Sequence, residues 1–329
     1  MEEKKTELKM IKMSEVQSQE IEWLWYPFIP YGKLTIVQGD PGDGKTTLIL
    51  NIAAKLSKGE GMDNDMKLME SMNIIYQTAE DGLADTVKPR LEKAGADCER
   101  ILIIDESDKS LSMADDRLEE AIIQTGARML ILDPIQAYLG GGIDMNRANE
   151  ARDMTKRLGA LAEKYKCAII LIGHMNKASG SKSTYRGLGS IDIQATARSV
   201  LLVARLRDKP NIRIMAHDKS SLAPTGDAIG FEMMEDNGMV CIGPYDITID
   251  ELLSGNEGRG KKKLDIAENF IKEYFGSCKE IISNDILQEA ARRGIKRNTL
   301  LSAKKKLGIT SSKAKTEDGT SYWTWLLPQ

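Results

Sequence analysis

Gly39-Asp40-Pro41-Gly42-Asp43-Gly44-Lys45-Thr46-Thr47 is the stretch on which the reading of this chain turns. It fits G-x-x-x-x-G-K-[ST], the phosphate-capturing P-loop. Its glycines let the backbone turn tightly and bring several N–H groups to phosphate oxygens. In such a loop Lys45 reaches the β- and γ-phosphates, and the Thr46 hydroxyl sits on Mg2+. The flanks supply the context that a chance glycine-rich turn lacks. Lys33 to Gln38 reads as a buried strand, and Leu48, Ile49, Ile52, Ala53 and Leu56 recur at helical spacing until Gly59. A loop joining a strand to a helix N-terminus offers an anion both free N–H groups and the helix dipole. The segment Gly39–Thr47 therefore predicts a nucleoside triphosphate site, with ATP and Mg2+ as its occupants.

Length and charge frame this site. The 329 residues suit one large domain and a small one, and a 41% hydrophobic, 29% charged composition is that of an ordinary globular chain. No apolar run has the length of a membrane span, and the first residues hold no signal-peptide core. Cys98, Cys167, Cys241 and Cys278 are scattered and the chain has two histidines, which argues against a disulfide frame or a zinc site and fits a reducing cytoplasm. The net charge of −3 conceals an asymmetry: residues 261–329 hold 14 Lys and Arg against 8 Asp and Glu. A basic tail on an acidic body points to a tail that touches nucleic acid.

Residues 1–20 read as a polar, mobile arm. Ile21 to Pro30 brings two of the four tryptophans and reads as a lead-in packed on a sheet edge or a neighbouring subunit. Strands are expected at 73–78, 101–105, 128–134 and 167–174, with helices at 82–94, 112–125 (opened by a Ser112/Asp115 capping box) and 146–165. Gly140-Gly141-Gly142 reads as a flexible loop, and Lys177 to Tyr185 as a polar stretch with nothing to bury. Apolar strands alternating with helices predict an α/β fold with a mainly parallel sheet covered on both faces. Segments 199–206, 211–217, 228–234 and 239–242 read as its antiparallel extension. The ATPase domain then spans 21–250 and a linker spans 251–263.

Residues 264–329 predict three helices and a hairpin: Leu264–Phe275 with Ile266, Phe270, Ile271 and Tyr274 apolar, a second helix capped by Ser283, a third over 297–307, and an Asp-Gly turn at 318–319. That order is a winged helix. On the third helix Leu300, Ala303 and Leu307 face inward, leaving Arg297, Asn298, Ser302, Lys304 and Lys305 to face DNA. Lysines grip phosphate, so the pattern predicts affinity more than sequence choice. Winged helices also dock proteins.

Three side chains beyond the loop carry chemistry. Asp133 ends the apolar run Met129–Leu132, where a carboxylate holds Mg2+ beside the P-loop strand. Glu80 ends the strand after the P-loop helix, where a carboxylate orients and deprotonates the attacking water; its neighbour Asp81 competes for that part. His174 ends the fifth strand, placed to bond the γ-phosphate, whereas His217 reads as structural.

The set Gly39–Thr46, Ala79-Glu80-Asp81, Leu130-Ile131-Leu132-Asp133 and Ile172-Gly173-His174-Met175-Asn176-Lys177 resembles the RepA-type plasmid replicative helicases, a branch of the RecA-like ATPases akin to DnaB and KaiC. The likeness covers about residues 20–245. It implies a homo-oligomeric ring, usually a hexamer, with ATP at subunit interfaces and replication proteins as further partners. It also implies Glu80 as catalytic carboxylate, His174 as γ-phosphate sensor, Arg90 as the arginine that follows the catalytic acid, and Arg198 as the finger supplied in trans. Lys219 matches the lysine of the Lys-x-Arg finger, but Ser221 stands where its arginine belongs. Arg186 is a weaker finger candidate. A DNA-bound ATP switch without unwinding activity needs the same ATPase, whereas a P-loop kinase would need an acceptor site that no residue here announces.

Overall fold

The computed structural model describes residues 10–62, 70–139, 148–175, 191–234, 238–254, 258–276, 278–315 and 321–328. The first part of the chain comprises β1 (Trp23–Trp25), β2 (Ile29–Pro30), β3 (Leu34–Gly39), α1 (Lys45–Ser57), β4 (Ile74–Thr78), α2 (Lys88–Lys93), β5 (Ile101–Leu102), α3 (Arg117–Thr125), β6 (Met129–Asp133), α4 (Ala148–Tyr165) and β7 (Ala168–His174). It continues with α5 (Ile191–Thr196), β8 (Ser199–Arg205), β9 (Ile212–Ser220), β10 (Ile229–Met234), β11 (Gly238–Pro244) and α6 (Ile249–Ser254). The tail holds α7 (Gly258–Phe275), β12 (Glu280–Ile282), α8 (Ser283–Arg292), α9 (Arg297–Lys306), β13 (Thr310–Lys315) and β14 (Ser321–Leu326).

Nine strands form one sheet in the order β11-β10-β9-β8-β3-β7-β6-β4-β5. From β8 to β5 every pairing is parallel, and from β8 to β11 every pairing is antiparallel. This is the mainly parallel α/β sheet the sequence predicts, and it explains why the central strands read as unbroken apolar runs. Alternate residues of one strand feed opposite cores. Met129 and Ile131 pack with α1, whereas Leu130 and Leu132 pack with α3 and α4. The parallel strands β3, β7, β6 and β4 end together, pairing Gly39 with His174 and Thr78 with Asp133. That end gathers the residues named above.

Several local expectations are corrected. β5 has two residues, not five, because the Gln77 side chain takes over the ladder: it accepts from Ile104 N at 2.6 Å and donates to Ile104 O at 3.3 Å. The Ser112/Asp115 capping box does not form. Asp115 instead accepts from Arg117 N and from the Arg117 guanidinium, and α3 starts at Arg117. The helix expected at 82–94 opens with a π-helical turn over Leu83–Val87 before α2. β8 runs parallel to β3, so the antiparallel extension begins one strand later than expected. Trp25 and Phe28 are buried in the core over α1, in the cluster that also holds Phe231 of β10 and Met239 of the edge strand β11. The glycines 140–142, the stretch 177–185, Arg186 and the Asp-Gly turn lie outside the described residues.

Among the described residues, the tail is built on ten buried ones from α7, α8, α9, β14 and Ile309, none shared with the clusters of the sheet. Its three strands run β12-β14-β13, and β12 is absent from the sequence prediction. Part of the expected linker is helical, because α6 runs to Ser254 and α7 starts at Gly258, ahead of the predicted Leu264. The buried face of α7 is Ala267, Phe270, Ile271 and Phe275, while Ile266 is 55% exposed. α8 begins at Ser283 with no side-chain cap bond.

Candidate nucleotide site and tail surface

The P-loop geometry starts with two glycines. Gly44, the residue before α1, has φ of 87°, a left-handed conformation that a side chain disfavours. Gly39 is required by space: a Cβ there would lie 2.1 Å from the Val203 carbonyl oxygen of β8. Between them the loop folds over Lys45, which is buried at 5% exposure. Its ammonium donates to Gly39 O at 3.0 Å, Asp40 O at 2.9 Å and His174 Nδ1 at 3.3 Å. Burial lowers the Lys45 pKa, opposed by Asp43 and Asp133.

That contact sets the His174 ring. An ammonium only donates, so Nδ1 must accept and the neutral ring carries its proton on Nε2. Nε2 faces Glu80 Oε2 at 3.9 Å. Glu80 is 63% exposed, whereas its neighbour Asp81 is taken by Arg90 at 2.8 Å. The two adjacent acids are thereby separated, one exposed beside His174 at the mouth of the loop and one paired with an arginine.

Asp133 lies on the other flank. Its Oδ2 accepts from Thr46 Oγ1 at 2.7 Å and from Tyr76 OH at 3.2 Å. Burial pushes its carboxyl pKa up, and those two hydrogen bonds pull it back. Hydrogen bonds to a charged acceptor contribute about 1.5–3 kcal/mol each, so Thr46 and Asp133 are held together before any ligand arrives. A desolvated carboxylate bonded to a P-loop hydroxyl suits a hard cation. The two residues fit Mg2+, although no group of three or more His, Cys, Asp or Glu among the described residues forms a protein-only metal cage.

Arg213, with Arg205 beside it, is the site feature the sequence reading missed. Arg213 is buried at 8% exposure and packs on the loop: a Cβ on Gly44 would lie 3.4 Å from its Nε. One guanidinium nitrogen donates to Pro210 O and, at 3.4 Å, to Ile212 O, while the buried Nε has no partner among the described residues. Arg205 stands directly opposite in the ladder. Burial lowers the Arg213 pKa, and Arg205 adds to that. Asp43, raised by burial and by Asp40, is the nearby acid. No motif flags this pair; two arginines facing each other across a short turn, at 205 and 213, are the one signal the sequence offered.

The finger candidates separate. Arg198 is exposed, and its N–H donates to Leu34 O at the start of β3, the end of the strand opposite the P-loop. Lys219 donates to Gln194 O at 2.9 Å, Ala195 O at 3.3 Å and Ala197 O at 2.9 Å, so all three of its protons serve the C-terminal end of α5. His217 is structural as expected: it is stacked on Phe28 and bonded to Ser199 Oγ and Gly226 N. Burial lowers its pKa to about 4.

In the tail, Arg297, Asn298, Ser302 and Lys305 lie exposed on α9. Lys304 turns inward, bonded to Ser311 Oγ and lying 4.8 Å from the Trp325 ring centroid. Lys306 is paired with Glu268 at 2.5 Å. Among the described residues no helix is long and apolar enough to cross a membrane.

The chain is 26% identical over 229 residues to the DNA repair protein RadA of Halalkalibacterium halodurans, covering 69% of this chain and 45% of the relative. It is 25% identical over 229 residues to that of Bacillus subtilis, covering 69% and 44%. For the Helicobacter pylori protein it is 27% over 233 residues, 70% and 46%. The chain thus spans about half the length of the curated relatives it matches. Among solved structures it aligns with one described as an ATPase domain at a TM-score of 0.48 and 15% identity, covering 65% of this chain and 85% of that one. A family model described as AAA domain matches residues 2–180. Including the loop that opens the reading and extending over more than half of the chain, that match gives its membership: the chain belongs to the AAA domain family.

Proposed function

We propose that the chain is a DNA-associated ATPase of the RepA-like helicase type, hydrolysing ATP at subunit interfaces of a homo-oligomeric ring in the replication or recombination of a plasmid, phage or other mobile element. The observation that carries the reading is the divided acid pair: Arg90 occupies Asp81, while Glu80 stays exposed beside His174 at the mouth of the P-loop. A base that deprotonates water needs that freedom. Lys45 and the loop N–H groups bind the phosphates, and His174 Nε2–H faces the space in front of Glu80. Thr46 and Asp133 would hold Mg2+, which neutralises charge on the β- and γ-phosphates.

The ring is supported by the place of Arg198. β3 has six residues, which at about 3.3 Å each separate Arg198 from its own P-loop by roughly 20 Å. As a charge-stabilising finger it would have to serve the site of a neighbouring copy. Lys219 is a helix cap in this reading and leaves that part to Arg198. The name DNA repair protein RadA carried by the relatives supports DNA as partner, and the winged-helix tail is its second contact, through Arg297, Asn298, Ser302 and Lys305.

ATP binding and phosphate release measured on two variants test the reading. Lys45→Ala is expected to lose both. Glu80→Gln is expected to keep ATP affinity and lose turnover. Equal loss of affinity in the two variants removes Glu80 from the catalytic part.

A further inference from the structure

The outer end of the tail hairpin carries an aromatic side chain that the fold does not use. In β14, Trp325 is 2% exposed and closes the tail core, whereas Trp323, two residues earlier on the same strand face, is 55% exposed. Directly across in β13 stand Ser311 opposite Trp325 and Lys313 opposite Trp323, with Lys315 opposite Ser321. Directly opposed residues project to one face, so Lys313, Lys315 and Trp323 share it. Both lysines are exposed. Among the described residues that face holds no acid: Ile281, opposite Trp325, is its contribution from β12.

Lys304 joins this face to α9. Its ammonium lies over Trp325 and bonds Ser311 Oγ, so the helix abuts the hairpin at that point. α9, which carries Lys305 and Arg297, thus meets the hairpin at Ser311 and Trp325, one ladder step along the same face from the Lys313–Trp323 pair. Leaving an indole half exposed forgoes the largest apolar burial any side chain offers. Placed among lysines, with no acid on that face among the described residues, it matches a ligand with an anionic backbone and flat apolar rings. A lipid surface would want more than one apolar side chain, and an acidic peptide would leave the indole plane unused.

We infer that Trp323 is a stacking platform for an unpaired nucleobase, with Lys313 and Lys315 on the adjoining phosphates, so that the tail binds single-stranded DNA at this face in addition to duplex on α9. The inference rests on the DNA-binding reading of the tail and specifies its substrate. In a duplex both faces of an internal base are already stacked, whereas in a single strand they are available. Stacking on an aromatic side chain is worth about 1–3 kcal/mol per base, or roughly 5- to 150-fold in affinity.

The test uses the full chain without nucleotide, with a short fluorescent oligothymidylate and a blunt duplex as probes. Trp323→Ala is expected to weaken oligothymidylate binding by roughly tenfold or more while duplex affinity stays within about twofold. Trp323→Phe, which keeps an aromatic plane, is expected to restore most of the loss. Wild-type tryptophan emission is expected to fall on binding oligothymidylate, and the fall is expected to shrink in Trp323→Phe. Unchanged single-strand affinity in Trp323→Ala overturns the inference alone, as does an equal loss on both probes. If the wild-type chain binds neither probe at low salt, the DNA reading of the tail fails with it. If duplex binding depends on Lys305 and Arg297 while Trp323 is indifferent, the DNA reading stands and the stacking platform falls.

Discussion

The sheet end of the body and the exposed face of the tail present their charges in opposite ways. In the body, Lys45, Asp133 and Arg213 are each less than a tenth exposed, and every one is set by backbone that paired strands hold in register. In the tail, Arg297, Lys305, Lys313 and Trp323 stand in solvent on a core of ten buried residues. A buried, pre-positioned cation acts in a low dielectric, where one charge is worth several in water. Exposed cations act by number and are screened by salt. On the proposed reading, the body is built for chemistry on one small anion, and the tail for grip on a long one. Single substitutions should be severe in the first and graded in the second.

The largest effect should come from Glu80. If it is the base, Glu80→Gln lowers turnover by about 10²–10⁴-fold with ATP affinity within a few-fold, measured by phosphate release and by equilibrium binding. Asp81→Asn should do far less, since its charge is already paired with Arg90. Comparable losses in both would erase the contrast between the two acids.

Arg198→Ala should cost turnover without touching stability, and Lys219→Met should do the reverse. Losing three bonds to the end of α5 is expected to lower the thermal midpoint by a few degrees, for about 1 kcal/mol. Mixing Arg198→Ala with Lys45→Ala subunits should recover part of the activity if the finger acts in trans. No recovery in verified mixed rings counts against it.

His217 gives the body a pH limit. Its folded pKa, about 4, lies below the ordinary value of 6.5, so the unfolded chain binds the extra proton first. Stability from this group is complete above about pH 6.5 and falls as pH drops toward 4, by on the order of 3 kcal/mol. Urea unfolding across that window should show the slope, and His217→Gln should flatten it.

The smallest effect sharpens the tail side. Sequence alone puts Lys304 and Lys305 on phosphate, and Lys306 continues the same basic run. The structure engages Lys304 with Trp325 and Ser311, and Lys306 with Glu268. Neutralising all three should therefore reduce the salt slope of duplex binding by about one phosphate contact, Lys305's, rather than three. A drop near three would mean that both pairs open on DNA.

The P-loop strand–loop–helix, the apolar strands and the ends of β6 and β7 were legible because each is dictated locally: a glycine pattern, an apolar run, an acid or histidine after it. The tail's helices were legible for the same reason. β12 and the true buried face of α7 were not, because three residues at a sheet edge carry no period and Ile266 and Ala267 both fit a helical stripe. The capping box at Ser112 failed because Asp115 turns forward to the Arg117 N–H and guanidinium instead of back to Ser112 N.

By itself the sequence determined which groups gather at the P-loop end of the sheet: Lys45, Thr46, Asp133, Glu80 and His174 all follow from the motif and from where strands stop. Only the tertiary structure decided how those groups are shared out. Asp81 and Glu80 differ through an arginine nine residues away from one of them, Lys219 is held by α5, and Arg213 reaches the loop from the far strand of a hairpin. Spacing along a chain fixes what a backbone can present, whereas which charge meets which is settled by contacts between segments that no local pattern encodes.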